Sequence, residues 1–349
     1  AERARCRRLR GADGRRAFAL PMELSSRDPR FRELDRISMS DYLARSGWLS
    51  PRLRWYVEYA CRDDFGSVLE NTSAWAGVHY FASRGEGEED QMLTWPEGNG
   101  WIVRKLSERL ADRLKPSVLV YRVEEAGGSV EIDFWDASAG RTTRLKARAA
   151  IVCLPRFAAA RVVAALGARR AAAEAFAYAP WMVANLTIER PPAGHGAAPC
   201  WDNVLYESES LGYIDATHQN LSQDRRGAVW TYYRPFAKGD PSENRKTLMS
   251  TPWEAWRDAI LRDLGRGLPG LGARVRNIDV MLWGHGMVRP SVGFVWGGAR
   301  EAAAKPVGNI FFGHSDLSGF SLFEEAQYRG VRAAEAALAR LGRAFRSSL

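Results

Sequence analysis

The last stretch of the chain, residues 309–341, restricts the fold more than any other. "NIFFG" is a short apolar run that reads as a buried strand, "HSD" is a polar turn and "LSGF" a loop, and a helix from about Leu322 to Leu341 is entered through "SLFEEA". Ser321 and Glu324 stand at capping-box spacing at the head of that helix, and Gly330, Ala333 and Ala334 keep part of its length small. First-turn amides and the positive end of the helix dipole would face whatever lies beyond the strand end, a setting suited to an anionic or electron-rich ring such as reduced flavin. If Ser321 and Glu324 consume those amides, the same unit is only a capped helix. From the residues alone both readings stand.

The preceding chain interleaves helices and strands. Residues 36–62 read as two short amphipathic helices broken at Gly47 and Ser50-Pro51, and the aromatics Trp75, His79, Tyr80 and Phe81 that follow read as core. In "WIVRKLSERLADRL" Ile102, Leu106, Leu110 and Leu114 fall four apart, which predicts a helix over 101–114. "SVLVYRV", "SVEIDFW" and "TTRLKARAAIVCL", separated by "EAGG" and "SAG", predict a β-meander that ends at Pro155. Strand candidates at 183–189, 203–207, 212–216 and 228–233 predict a second sheet. Thr251-Pro252-Trp253-Glu254 predicts a helix opened by a capping box and running to about Leu264. A strand at 275–284 follows.

Composition excludes several classes. In 349 residues, 46% are hydrophobic and 26% charged, which leaves no room for a wholly disordered or collagenous chain. No run approaches the roughly 18 apolar residues of a membrane span. The net charge is +9, and Arg3, Arg5, Arg7, Arg8, Arg10, Arg15 and Arg16 crowd the start. Without interleaved aromatics to stack bases this cluster reads as an exposed basic face, and a nucleic-acid partner is disfavoured. Cys6, Cys61, Cys153 and Cys200 form no CxxC pair, so neither a metal site nor a disulfide framework is signalled. No signal peptide is recognisable, and the compartment stays open.

Two motifs are decoys. Gly265, Gly267 and Gly270 spell GxGxxG, but they follow a helix and include Pro269 where a dinucleotide turn must lead into a helix. "GHSDLSG" starts like a hydrolase elbow around Ser315, yet Leu317 stands where the second glycine belongs. A serine hydrolase using Ser315 and a non-catalytic basic binding protein are the alternatives to a cofactor enzyme.

Several segments together resemble a family. Phe323, Glu324, Ala326 and Gly330, followed by Ala333 and Ala334, are similar to the closing FAD motif of the flavin-containing amine oxidase and phytoene-desaturase-like superfamily, with Glu325 in place of a glycine and Arg329 of a serine. "WPEGNGWIVRKLSERLADRL" with "SVLVYRV" resembles the family's lead to an adenine-side valine, here Val123. "ARAAIVCLPRF" resembles the strand whose end returns to the cofactor at Pro155, and "WGHGMVRPSVG" the segment that brings Trp283 toward the isoalloxazine.

The resemblance implies an α+β protein, of the α/β superfamily, with an incomplete FAD-binding domain and a mixed-sheet substrate domain with helices. It divides the chain into 1–95 (helical part of the substrate domain), 96–156 (FAD-binding segment), 157–300 (substrate sheet and helices) and 301–349 (closing FAD-binding segment). The family's amino-terminal strand, GxGxxG turn and ribose-binding glutamate are missing, so the chain resembles a carboxy-terminal portion of a longer protein. The implied cofactor is FAD, held by Val123, Pro155, Trp283, Gly313, Asp316, Phe323, Glu324 and Ala326. The implied activity is hydride transfer from the carbon of a small molecule, an amine or an apolar compound, to flavin N5. Trp283 would wall the ring, and His285 would act as a polar or basic group beside the substrate. The strand "APWMVANLTIE" offers Trp181, Ala184 and Asn185 where many amine oxidases carry a lysine. Trp181, Trp201, Tyr206, Trp230, Tyr232 and Tyr233 are candidates to line the substrate pocket.

Overall fold

The structure is a computed structural model that describes residues 2–84, 95, 97–167, 175–192, 200–216 and 226–349. It opens with helices α1 (Glu2–Arg8), α2 (Pro29–Arg32), α3 (Met39–Arg45), α4 (Pro51–Phe65) and α5 (Ala74–Ala82). The break expected between the two helices of residues 36–62 is present. Gly47 has φ +71° and Pro51 occupies the first turn of α4. Gly66, at φ +54°, ends α4. A Cβ there would lie 2.4 Å from the Ala179 Cβ, so only glycine lets this helix end approach the sheet.

Phe18, Leu43, Phe65 and Trp75 pack into one core with Val295, Trp296 and Phe320 from the far end of the sequence. The expected aromatic core around Trp75 and His79 is therefore present. Each such fully buried apolar side chain contributes about 1.5–3 kcal/mol.

Next come α6 (Gly100–Glu108), β1 (Val118–Ala126), β2 (Ser129–Asp136), β3 (Arg141–Ala147), β4 (Ala150–Val152), α7 (Arg156–Val162), α8 (Ala164–Gly167), β5 (Tyr178–Glu189), β6 (Asp202–Asn203), β7 (Tyr213–Asp215), β8 (Gly227–Pro235), α9 (Pro241–Ser250), α10 (Trp253–Gly265), β9 (Val275–Val288), α11 (Ala299–Ala304), β10 (Ile310–Phe312) and α12 (Phe323–Arg340). The helix expected over 101–114 ends at Glu108, and Leu106, Leu110 and Leu114 are exposed. The Ala-rich run from 168 to 174 lies outside the described residues.

β1, β2 and β3 form the expected antiparallel meander, and its inner face buries Val123 and Val130 against α7 and α8. β4 leaves that sheet and pairs in parallel with β10. The third sheet has the order β6-β7-β8-β5-β9. The α+β class is as expected, but the mixed pairing expected in the substrate sheet is not found. Every strand pair described there is antiparallel, and among the described residues parallel pairing joins β4 to β10 and, as an isolated bridge, Val123 to Val163. The reason lies in the connection from β8 through α9 and α10 to β9. It crosses β5, so β8 and β9, the two neighbours of β5, both run opposite to it while the helices cover Met182, Leu186 and Ile188 with Leu248, Trp256 and Ile260.

Neither expected capping box forms. α10 starts at Trp253 with no side-chain cap, because the Thr251 hydroxyl donates to the Thr247 carbonyl at 2.7 Å. α12 starts at Phe323 with Leu322 at its cap and no capping side chain. The Ser321 Oγ instead accepts from the Val288 amide of β9 at 3.1 Å.

Candidate active site

β4 and β10 are parallel neighbours, so their carboxyl ends open side by side, and this is where open parallel sheets place ligands. β4 runs out to Pro155, which caps α7. β10 runs out to Gly313, whose amide donates to the Val152 carbonyl at 3.1 Å. A Cβ on Gly313 would sit 3.2 Å from the Ala333 Cβ and 3.3 Å from the Gly330 Cα, so glycine here lets α12 press onto the strand end.

Asp316 joins the two strand ends. It is 2% exposed, and its Oδ2 accepts from the Arg156 amide at 2.7 Å and from the Tyr178 hydroxyl at 2.5 Å. Its own amide donates to His314 Nδ1 at 3.1 Å. Burial, followed by the Asp316 charge, drives the Tyr178 phenol far above its ordinary range, so Tyr178 is a fixed donor.

Tyr178, on β5, also meets a side chain from the neighbouring strand β9. The His285 ring stacks on Phe157 of α7 at 4.0 Å and meets the Tyr178 ring edge-on at 5.7 Å. A bulge puts His285 there. β5 and β9 pair Trp181 with Trp283 and Ala179 with Met287, so Gly284, His285 and Gly286 lie opposite Pro180 alone. Proline lacks the amide that would hold the ladder, and the surplus residues turn the imidazole out of register. Gly286 leaves room for Trp181, whose Cδ1 is 2.6 Å from where a Cβ would be. Burial, then Arg245 and Arg161, holds the His285 pKa down at about 4, so the imidazole is neutral at pH 7.

The structure thus brings Pro155, Gly313, Asp316 and His285 into one neighbourhood. Val123 lies beneath it, buried in the core with Val152 and Phe312. Phe323, Glu324 and Ala326 are exposed on the first turn of α12, and Trp283 is 54% exposed on the surface of β9. Glu325 is the buried member of that turn, and its Oε1 accepts from the Met22 amide at 2.6 Å. Ser315 is buried in the turn after β10 and makes no hydrogen bond to a histidine among the described residues, which removes the geometry a hydrolase needs. At the basic start, Arg16 donates to the Ala82 and Ser83 carbonyls and Arg30 to the Arg10 carbonyl, so part of that charge holds the fold together.

The pocket aromatics divide. Trp230 and Tyr232 are core, covered by α9 and α10, and the Tyr232 hydroxyl donates to Asp263 at 2.9 Å. Trp201 and Tyr206 are largely exposed. Trp181 and Tyr233 sit on the other face, against Tyr59 of α4. Asn185 accepts from the Thr231 hydroxyl at 2.9 Å. Beside this face Tyr59 donates to Asp202 at 3.0 Å, and burial together with Asp64 and Asp202 pushes Asp63 up to about 7.

Sequence reasoning missed Tyr178, Phe157 and Asp63. The signal for the first two was available in Pro180 inside an apolar strand run and in the two glycines flanking His285, which together mark a bulge. Asp63 gave no such signal.

The residues at the strand ends fit a flavin. The first turn of α12 has no capping side chain, Gly313 lets that helix pack onto the strand end, and Leu154 after β4 and Phe323 at the start of α12 expose apolar surface.

No protein-family model matches this chain, and no curated protein matches it in sequence. Among solved structures it is similar to a putrescine oxidase redesigned in cofactor binding, with a TM-score of 0.68, 16% identity, and coverage of 88% of this chain and 69% of that one. Cyclohexylamine oxidase from Brevibacterium oxydans IH-35A aligns with a TM-score of 0.60 at 17% identity over 91% of this chain and 70% of that one. A CLA-producing fatty acid isomerase from P. acnes aligns with a TM-score of 0.59 at 16% identity over 88% and 67%. The chain has the fold these two amine oxidases share with the isomerase, as its resemblance to the amine oxidase superfamily implied.

Proposed function

We propose that this chain supplies the substrate domain and the carboxy-terminal part of the cofactor site of an FAD-dependent oxidoreductase of the amine oxidase type. The observation that carries the reading is the meeting of the β4 and β10 ends at Asp316, beside an uncapped 18-residue helix. Pro155, Gly313, Asp316 and the exposed face of Phe323, Glu324 and Ala326 would hold the flavin, with Val123 under its adenine side. Trp283 would wall the ring.

The chemistry supplied by a bound flavin is acceptance of a hydride at N5 from a substrate carbon. The chain's own share is placement and electrostatics. Asp316 fixes the spacing of the two strand ends through the Arg156 amide and the Tyr178 hydroxyl. His285, neutral at pH 7, presents an imidazole that accepts a hydrogen bond from a polar substrate group without repelling a cation. The known substrates of two similar structures, putrescine and cyclohexylamine, make a primary amine the first class to test.

The test is a titration of the purified protein with FAD, followed by the flavin absorption bands and by thermal shift, and then anaerobic addition of a panel of primary amines. The reading expects perturbed flavin bands that bleach with one of the amines. Free-flavin spectra and an unmoved melting curve at millimolar FAD would refute it.

A further inference from the structure

The helical half contains a cavity of about 400 Å³ that the redox reading does not use. Its walls are Leu43 of α3, Trp48, Leu53 and Tyr56 of α4, and Val78 and Phe81 of α5. The volume lies in the lower part of the roughly 300–1,000 Å³ range of small-molecule sites, and walls this apolar fit a hydrocarbon. Leu53 and Tyr56 are 36% and 49% exposed, so the cavity opens to solvent.

None of these residues belongs to the strand ends around Asp316. α5 stands between the two regions. Val78 and Phe81 face the cavity, whereas Trp75 and His79 pack on Phe320, with His79 stacked on that ring at 4.9 Å. Phe320 lies four residues beyond Asp316.

The charge beside the cavity is basic. Arg52 is four residues before Tyr56 on α4 and Arg45 three after Tyr42 on α3, spacings that put each on the same helix face as a residue lining the cavity. Both are exposed, and among the described residues neither makes an ion pair. The neighbouring Arg54 is engaged with Ser40 at 2.8 Å, and Asp41 is turned into the α3 cap.

We propose that this cavity is a binding site for a medium-chain carboxylate, with the hydrocarbon tail between α3, α4 and α5 and the acid group at Arg45 and Arg52. It is separate from the proposed flavin site. A tail buried at roughly 0.8 kcal/mol per methylene tightens binding about fourfold for each carbon added, up to the length the cavity holds.

Calorimetric titration of the wild-type protein with octanoate, decanoate, dodecanoate and dodecylamine tests this without any cofactor. The expected result is one site, about fourfold gain per methylene across the acids, and weaker binding of dodecylamine than of dodecanoate. The surface double variant Arg45→Glu/Arg52→Glu should lose at least tenfold for dodecanoate and bind dodecylamine better. Val78→Phe, which fills the cavity, should abolish binding of both. Absence of dodecanoate binding to the wild type, or equal dodecanoate affinity in wild type and charge-reversed variant, overturns the proposal. Because flavin takes no part, these outcomes are independent of the FAD titration.

Discussion

Replacing Tyr178 by Phe removes one hydroxyl and keeps the ring that His285 meets edge-on. The lost bond is the 2.5 Å contact to Asp316 Oδ2, between a residue 5% exposed and one 2% exposed. A buried hydrogen bond to a carboxylate contributes about 1.5–3 kcal/mol, so Tyr178→Phe should cost about 2 kcal/mol. Asp316→Asn keeps an acceptor for the Arg156 amide but removes the charge, and should cost about as much. If the two groups act on each other, the double variant should be less destabilised than the sum, with a coupling of about 1–2 kcal/mol. With a urea m-value near 3 kcal/mol/M, the unfolding midpoint of Tyr178→Phe should fall by about 0.7 M. Urea melts of the four proteins followed by far-UV circular dichroism measure the cycle. A midpoint for Tyr178→Phe equal to wild type, or strictly additive single losses, would refute the claim that this pair ties the five-stranded sheet to the strand ends.

Three further outcomes follow from burial. His79 is 2% exposed, its Nε2 donates to the Ala19 carbonyl at 2.7 Å, and burial holds its pKa down at about 4. The unfolded chain therefore takes up the proton first, and stability should fall by about 3 kcal/mol as pH drops from 6.5 to 4; a His79→Gln variant should show a flatter dependence of urea midpoint on pH. Glu325 is raised by burial, so its contribution is present below the ordinary glutamate value near 4.5 and lost as pH rises through the folded-state value. Glu325→Gln should accordingly gain on wild type in thermal melts at pH 7 relative to pH 4.5, and an unchanged difference would count against the buried-charge account. Gly66→Ala adds a Cβ at positive φ and 2.4 Å from the Ala179 Cβ, a combination worth about 2–4 kcal/mol of destabilisation, measurable by the same urea melts.

Much of the element order was legible in the residues. Period-two runs marked β1 to β3, Pro51 and Gly47 marked the helix break, and "NIFFG" marked β10, because these signals act over a few residues through backbone geometry and side-chain alternation. Pro155, Gly313 and Asp316 were singled out only through the family resemblance, and the structure places them at the ends of β4 and β10. Capping boxes were misjudged because the hydroxyls expected to cap are claimed by other groups. Thr251 and Ser321 have competing partners, and the Val288 amide that wins Ser321 lies 33 residues away.

Composition and pattern thus determined which segments are strands and helices and which of their ends are polar, since each such choice is settled by neighbours in sequence. Packing alone decided which donor meets which acceptor. Tyr178 reaches Asp316 across 138 residues and Glu325 reaches Met22 across 303. Those pairings exist because the crossover through α9 and α10 and the parallel joining of β4 with β10 bring distant chain ends together, and no spacing within a single segment encodes them.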